Sequence, residues 1–224
     1  MVSRRRLIAA ALCAALAATV SLVLMNSAGA GASRCAQFRA AAAEPARAQM
    51  GAGTPRILVI GDSYSVGLGL AADQSWPHRL PGRVIVDGFS GSGFSKDASG
   101  CAAVSYADRA AAGLRRAGHV DLVVVEGGLN DYDQPTAAIR AGFDALLDEL
   151  GDRPVVVVGP APAPSRADAV PRIDALLARL STQHGVSYVR MAGERFPYLS
   201  DRLHLTPAGH REFGDLVARA IDAH

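Results

Sequence analysis

Five short runs of branched apolar residues recur along the chain: Ile57 to Ile60, Val84 to Val86, Leu122 to Val125, Val155 to Val158 and Val186 to Val189. A strand with one face in water alternates apolar and polar residues, whereas strands buried on both faces read as nearly continuous apolar runs. The runs are separated by amphipathic stretches long enough to carry the chain back across a sheet, namely Ala102 to Ala117, Thr136 to Leu150, Ala169 to His184 and Pro207 to Ile221. Antiparallel neighbours need only a tight turn, but parallel ones need a crossover of this kind.

Strands alternating with helices imply a parallel sheet with helices on both sides. The expected fold class is α/β, a flavodoxin-like three-layer α/β/α sandwich around a five-stranded parallel sheet. Helix punctuation agrees. Asp133 to Thr136 resembles a helix start, Gly151 and Gly185 stand where helices should stop, and Thr206-Pro207 puts Pro in the first turn of the last helix. At 224 residues there is room for one ordinary domain and an appendage. We place that domain at 56–224, preceded over 31–55 by an Ala/Gly-rich linker with a short helix.

Residues 1–30 read as a signal peptide or signal anchor. Arg4, Arg5 and Arg6 precede 19 uncharged residues, Leu7 to Met25, and Ala28-Gly29-Ala30 offers a small-residue cleavage site. The apolar run is longer than a usual signal core and close to the ~20 residues that span a bilayer. Cleavage and retention both remain open, and both send the rest of the chain across the membrane, because flanking arginines stay in the cytoplasm. The expected location is secreted or extracytoplasmic, with any membrane attachment through an uncleaved leader. Of three cysteines, Cys13 lies in the leader, leaving Cys35 and Cys101. In an oxidising compartment these two form a disulfide; otherwise they are unrelated thiols.

Charge excludes one class of partner. Without the three leader arginines the formal net charge of +2 becomes −1, and no basic stripe remains to follow a phosphate backbone. Nucleic acid is not an expected partner.

Open α/β sheets place their sites beyond the carboxyl ends of the strands. Four segments there carry polar chemistry: Gly61-Asp62-Ser63-Tyr64, Gly88 to Gly93, Glu126 to Asp131, and Asp201 to His204. A serine hydroxyl becomes an effective nucleophile when a histidine takes its proton, which fits Ser63 and His204. Asp201, three residues earlier, can hold the other imidazole nitrogen. Ser63 N–H, Gly91 N–H and the Asn130 amide are candidates for an oxyanion hole. Read blandly, Ser63 is a helix cap, Asn130 a turn residue and Gly93 a flexible turn position. Asp62 and Asp131 are read as loop-holding groups, Trp76 as core, and the remaining histidines, His210 among them, as surface residues.

With GDSY at 61–64, Gly91 after the second strand, GLND at 128–131 and DRLH at 201–204, the chain resembles the SGNH/GDSL hydrolases. The four namesake residues match Ser63, Gly91, Asn130 and His204 in order. Gly91 is preferred to Gly93 because its distance from the strand and the preceding serine fit the family pattern. The resemblance implies a flavodoxin-like fold, no metal or other cofactor, and an acyl-enzyme mechanism on small-molecule, lipid or glycan esters. The protein is expected to act as a monomer. The alternative is a catalytically weak envelope protein that binds glycan or lipid on the same fold.

Overall fold

The computed structural model describes residues 30–48, 50–71 and 73–222. The leader expected over 1–30 therefore lies outside the described residues, apart from its last position. Among the described residues no helix is long and apolar enough to cross a membrane. The chain divides into two compact units, Met1–Gln37 and Phe38–His224. The described part of the first, residues 30–37, is helical.

The second unit opens with helical residues 38–47 (α1). It continues through β1 (Arg56–Gly61), α2 (Ser63–Val66), β2 (Arg83–Gly88), α3 (Tyr106–Ala117), β3 (Leu122–Glu126) and α4 (Thr136–Leu150). β4 (Val155–Val158), α5 (Val170–His184), β5 (Ser187–Val189) and α6 (Pro207–Asp222) complete it. All five strands are parallel, in the order β2-β1-β3-β4-β5. The α/β fold read from the sequence is the one observed.

Side-chain alternation along each strand divides the core in two. Ile57, Val59, Val84, Val86, Val124, Val156 and Val158 face Trp76, Phe213 and Val217, on the α6 side. Leu58, Ile60, Ile85, Val123, Val125, Val155 and Val157 face the apolar stripes of α3, α4 and α5. Apolar residues on both faces of every central strand are why these runs lack polar interruptions.

Element boundaries differ from expectation where local hydrogen bonds intervene. Helix α3 starts at Tyr106 because Ser105 forms a capping box with Asp108, leaving residues 101–105 in turns. β5 starts at Ser187 because Val186 N–H donates to Ser181 O, closing the end of α5 over left-handed Gly185. Of the stretch expected as a linker, residues 31–47 are helical, and beyond them Met50 exchanges two backbone hydrogen bonds with Val84 on the open edge of β2.

Register fixes where the turns emerge. Gly61 lies beside Gly88, and Ile60 lies between Asp87 and Val125. The segments after β1, β2 and β3 therefore leave the sheet side by side, at the point where the strand order reverses.

Candidate active site

Ser63 is the first residue of α2, immediately beyond β1. Asp62 caps that helix, its Oδ1 accepting from Tyr64 N–H at 2.9 Å, and Gly67 in a left-handed conformation stops it after one turn. Ser63 is thereby held at the carboxyl end of the sheet, 8 % exposed.

His204 comes from the loop ahead of α6. Leu199 N–H donates to His204 O at 2.8 Å, and Tyr64 Oη donates to Leu203 O at 2.6 Å, which ties this loop to the helix that carries Ser63. His204 Nε2 lies 3.1 Å from Ser63 Oγ, and Nδ1 lies 2.6 Å from Asp201 Oδ2. The other carboxylate oxygen, Oδ1, accepts from Leu203 N–H at 2.9 Å and His204 N–H at 3.0 Å. Partial burial works against the Asp201 charge, but these hydrogen bonds prevail and hold its pKa down to about 2. A carboxylate, an imidazole and a hydroxyl thus stand in line, oriented for proton transfer from Ser63 Oγ to Nε2.

The proposed oxyanion donors arrive from three different turns. Asn130 sits in a 3-10 turn, Leu129–Asp131, that follows β3. Its Nδ2 donates to Asp62 Oδ2 at 3.0 Å and to Ser92 O at 2.9 Å, joining the turns after β1 and β2. Gly91 has φ +82°, a conformation that favours glycine. The N–H groups of Ser63 and Gly91 donate no hydrogen bond among the described residues. Gly93, read as a flexible turn position, has a packing reason instead. A methyl group there would lie 2.5 Å from Asp131 Oδ2 and 2.8 Å from Ala98 Cβ. The fully buried Asp131 carboxylate accepts from Phe94 N–H at 3.0 Å and Ser95 N–H at 2.8 Å, locking the turn after β2 to the turn after β3.

The sequence model of the GDSL-like lipase/acylhydrolase family matches residues 59–212, more than half of the chain. The chain belongs to this family. It is accordingly an ester-hydrolysing enzyme of the SGNH/GDSL type. Comparison with curated proteins finds no match. Similar solved structures include Est24, a carbohydrate acetylesterase from Sinorhizobium meliloti, at 17 % identity and TM-score 0.66, covering 76 % of this chain and 99 % of that one. Another is the aryl esterase of M. smegmatis, at 20 % identity and TM-score 0.65, with the same coverage. A family two carbohydrate esterase from Cellvibrio japonicus aligns at 16 % identity and TM-score 0.61, over 77 % of this chain and 62 % of its own.

Beneath the site of this GDSL-like hydrolase lie groups that sequence reasoning passed over. Arg109 on α3 donates to Gly61 O at 2.9 Å, Ser92 Oγ at 3.2 Å, Val104 O at 3.0 Å and Asp87 O at 2.6 Å, and pairs with the Asp87 carboxylate. One guanidinium thus braces the residue two before Ser63 and the residue after Gly91. Nothing marked it beforehand, since an arginine on an amphipathic helix reads as a solvated one. Glu126 at the end of β3 is buried and accepts from Ser65 Oγ at 2.7 Å. Burial, followed by the nearby Asp62 charge, drives the Glu126 pKa well up; burial also raises that of Asp62. Trp76 is fully buried in the core, as expected. Cys35 and Cys101 are both disulfide-bonded.

His210 is a correction. Read as a surface residue, it is 2 % exposed, packs against the Tyr64 ring at 5.6 Å, and accepts from Trp76 N–H at 3.3 Å. Burial, then the neighbouring His204 charge, lowers its pKa to about 4. The unfolded chain takes up this proton near the ordinary value of 6.5, before the fold does. The stability that neutral His210 contributes is therefore complete above pH 6.5 and is lost as the pH falls toward 4, by up to about 3 kcal/mol. Asp131 acts oppositely, because burial raises its pKa to about 7, and its contribution fades as the pH rises through that value. The His210 effect is isolated by subtraction. Wild type should lose more stability than His210→Gln between pH 6.5 and 4.5 in denaturant titrations; parallel curves would contradict the assignment.

Proposed function

We propose that this enzyme is an extracytoplasmic serine esterase that works through an acyl-enzyme on Ser63. The observation that carries the reading is the Asp201–His204–Ser63 chain, with separations of 2.6 and 3.1 Å. Ser63 Oγ attacks the ester carbonyl carbon while its proton passes to His204 Nε2. The tetrahedral intermediate collapses, and the departing alkoxide takes that proton and leaves as the alcohol. Water then gives a proton to the same nitrogen as it attacks the acyl carbon, and the proton returns to Ser63 Oγ as the carboxylic acid departs. Ser63 N–H, Gly91 N–H and Asn130 Nδ2 receive the charge that develops on the carbonyl oxygen.

Location outside the cytoplasm is supported by the Arg-led apolar leader and by the disulfide-bonded state of Cys35 and Cys101, which suits an oxidising compartment. The chemical step is tested with a fluorophosphonate, which phosphonylates an activated serine. Peptide mass mapping should place one adduct on Ser63, absent from His204→Ala. Folded protein that stays unlabelled while hydrolysing esters would overturn the acyl-enzyme.

A further inference from the structure

Arg166 is held in place without being satisfied. Its guanidinium carbon lies 3.6 Å from the centroid of the Tyr132 ring, close enough for a cation–π contact that fixes its plane. Arg172 secures the turn that carries this ring, donating to Tyr132 O at 3.0 Å and Gln134 O at 3.3 Å. Yet of the five N–H donors on the Arg166 guanidinium, one makes a bond, a 3.4 Å contact to the neighbouring Ser165 O. Its Nε is buried with no partner, and among the described residues no carboxylate pairs with it. Asp133, next to Tyr132, and Asp168, two residues beyond Arg166, are exposed and form no ion pair among the described residues. Arg79, Arg109, Arg116 and Arg190 each hold a carboxylate by contrast.

Its position is as telling. Tyr132 stands two residues beyond Asn130, and at 40 % it is the exposed large hydrophobic side chain among the described residues. The Arg166 turn is tied to the His204 loop through Ser165 N–H, which donates to Arg202 O at 3.0 Å. Arg166 therefore bridges the lips that carry Asn130 and His204. The leaving alcohol takes its proton from His204, so the alcohol half of an ester lies on that side.

We propose that Arg166, stacked on Tyr132, binds an oxyanion on the alcohol half of the substrate, so that this enzyme acts preferentially on esters of anionic alcohols. The group recognised is a carboxylate or a phosphate, either of which a guanidinium fork grips through paired hydrogen bonds. The inference rests on the serine esterase reading and deepens it.

Aryl acetates matched in size provide the test: 4-acetoxybenzoate, 4-acetoxyphenyl phosphate and the neutral 4-acetoxybenzamide, hydrolysed by the full chain. At low ionic strength kcat/KM should favour the better anion over the amide by about tenfold, the range expected of a charged hydrogen bond in a half-exposed site. The preference should shrink toward parity in molar salt, because an exposed pair is screened. Whichever anion is faster identifies the source. Arg166→Met should abolish the preference while leaving hydrolysis of the amide within about twofold, and Arg166→Lys should keep part of it. No preference in wild type, or one that survives Arg166→Met, overturns the proposal even though the esterase reading stands. Binding to Ser63→Ala separates the two ideas, since it needs no turnover. Titration with 4-hydroxybenzoate, 4-hydroxyphenyl phosphate and 4-hydroxybenzamide should show the same preference for the faster anion, lost in Ser63→Ala/Arg166→Met; equal affinities of both anions and the amide would count against it whatever the enzyme hydrolyses.

Discussion

Ser63→Ala is expected to lower kcat for ester hydrolysis by on the order of a millionfold, and His204→Ala by a similar factor, while the double variant loses no more than either single. Serine and imidazole act as one unit. Without the hydroxyl there is nothing for the imidazole to deprotonate, and without the base the hydroxyl is too weak a nucleophile at neutral pH. Multiplying losses would mean that the two act independently and would sink the proton-transfer pair. The fold should tolerate both changes. The Ser63 side chain is small and is held by His204 Nε2 at 3.1 Å, so circular dichroism and melting temperature should stay near wild type. Asp201→Asn should be milder, by about a hundredfold relative to Ser63→Ala, as the orienting carboxylate is in such triads. Here water can reach it, since 46 % of its side chain is exposed.

The sheet was legible because its signal is local and redundant. β1 to β4 are apolar on both faces, so the runs at Ile57, Val84, Leu122 and Val155 stand out whatever their partners. The boundaries that escaped depend on single hydrogen bonds, the Ser105–Asp108 box and the Val186 closure, each of which competes with a propensity that points the other way. The triad candidates were legible for a related reason: Ser63 follows β1, Asp201 and His204 follow β5, and the crossover topology gathers the ends of parallel strands. What lies beneath them was not. Arg109 and His210 look like solvated helix residues, and their burial depends on how α3 and α6 rotate against the sheet. Arg166 is equally silent, since stacking on Tyr132 joins turns 34 positions apart in sequence.

Asn130→Ala should produce the second large loss, and in a form that distinguishes transition-state stabilisation from structural support. Removing one preorganised oxyanion donor typically costs on the order of a hundred- to a thousandfold in kcat, with KM little changed, because the full charge exists only in the transition state. In the resting enzyme both hydrogens of Asn130 Nδ2 are engaged, one by Asp62 Oδ2 at 3.0 Å and one by Ser92 O at 2.9 Å. The amide is thus aimed before substrate arrives, and the oxyanion must win a share of a donor already in use. The contest favours the substrate, since a developing full charge is a stronger acceptor than the neutral Ser92 carbonyl. Truncation also takes a partner from Oδ2 of Asp62, a carboxyl 1 % exposed whose Oδ1 accepts from Tyr64 N–H at 2.9 Å. A buried acceptor stripped of a bond costs roughly 1 to 3 kcal/mol, so Asn130→Ala should melt earlier than Ser63→Ala while retaining more activity. Equal stability of the two variants would show that the Asp62–Asn130 bond supports the fold less than its burial suggests. A loss that falls on KM alone would remove Asn130 from the oxyanion hole.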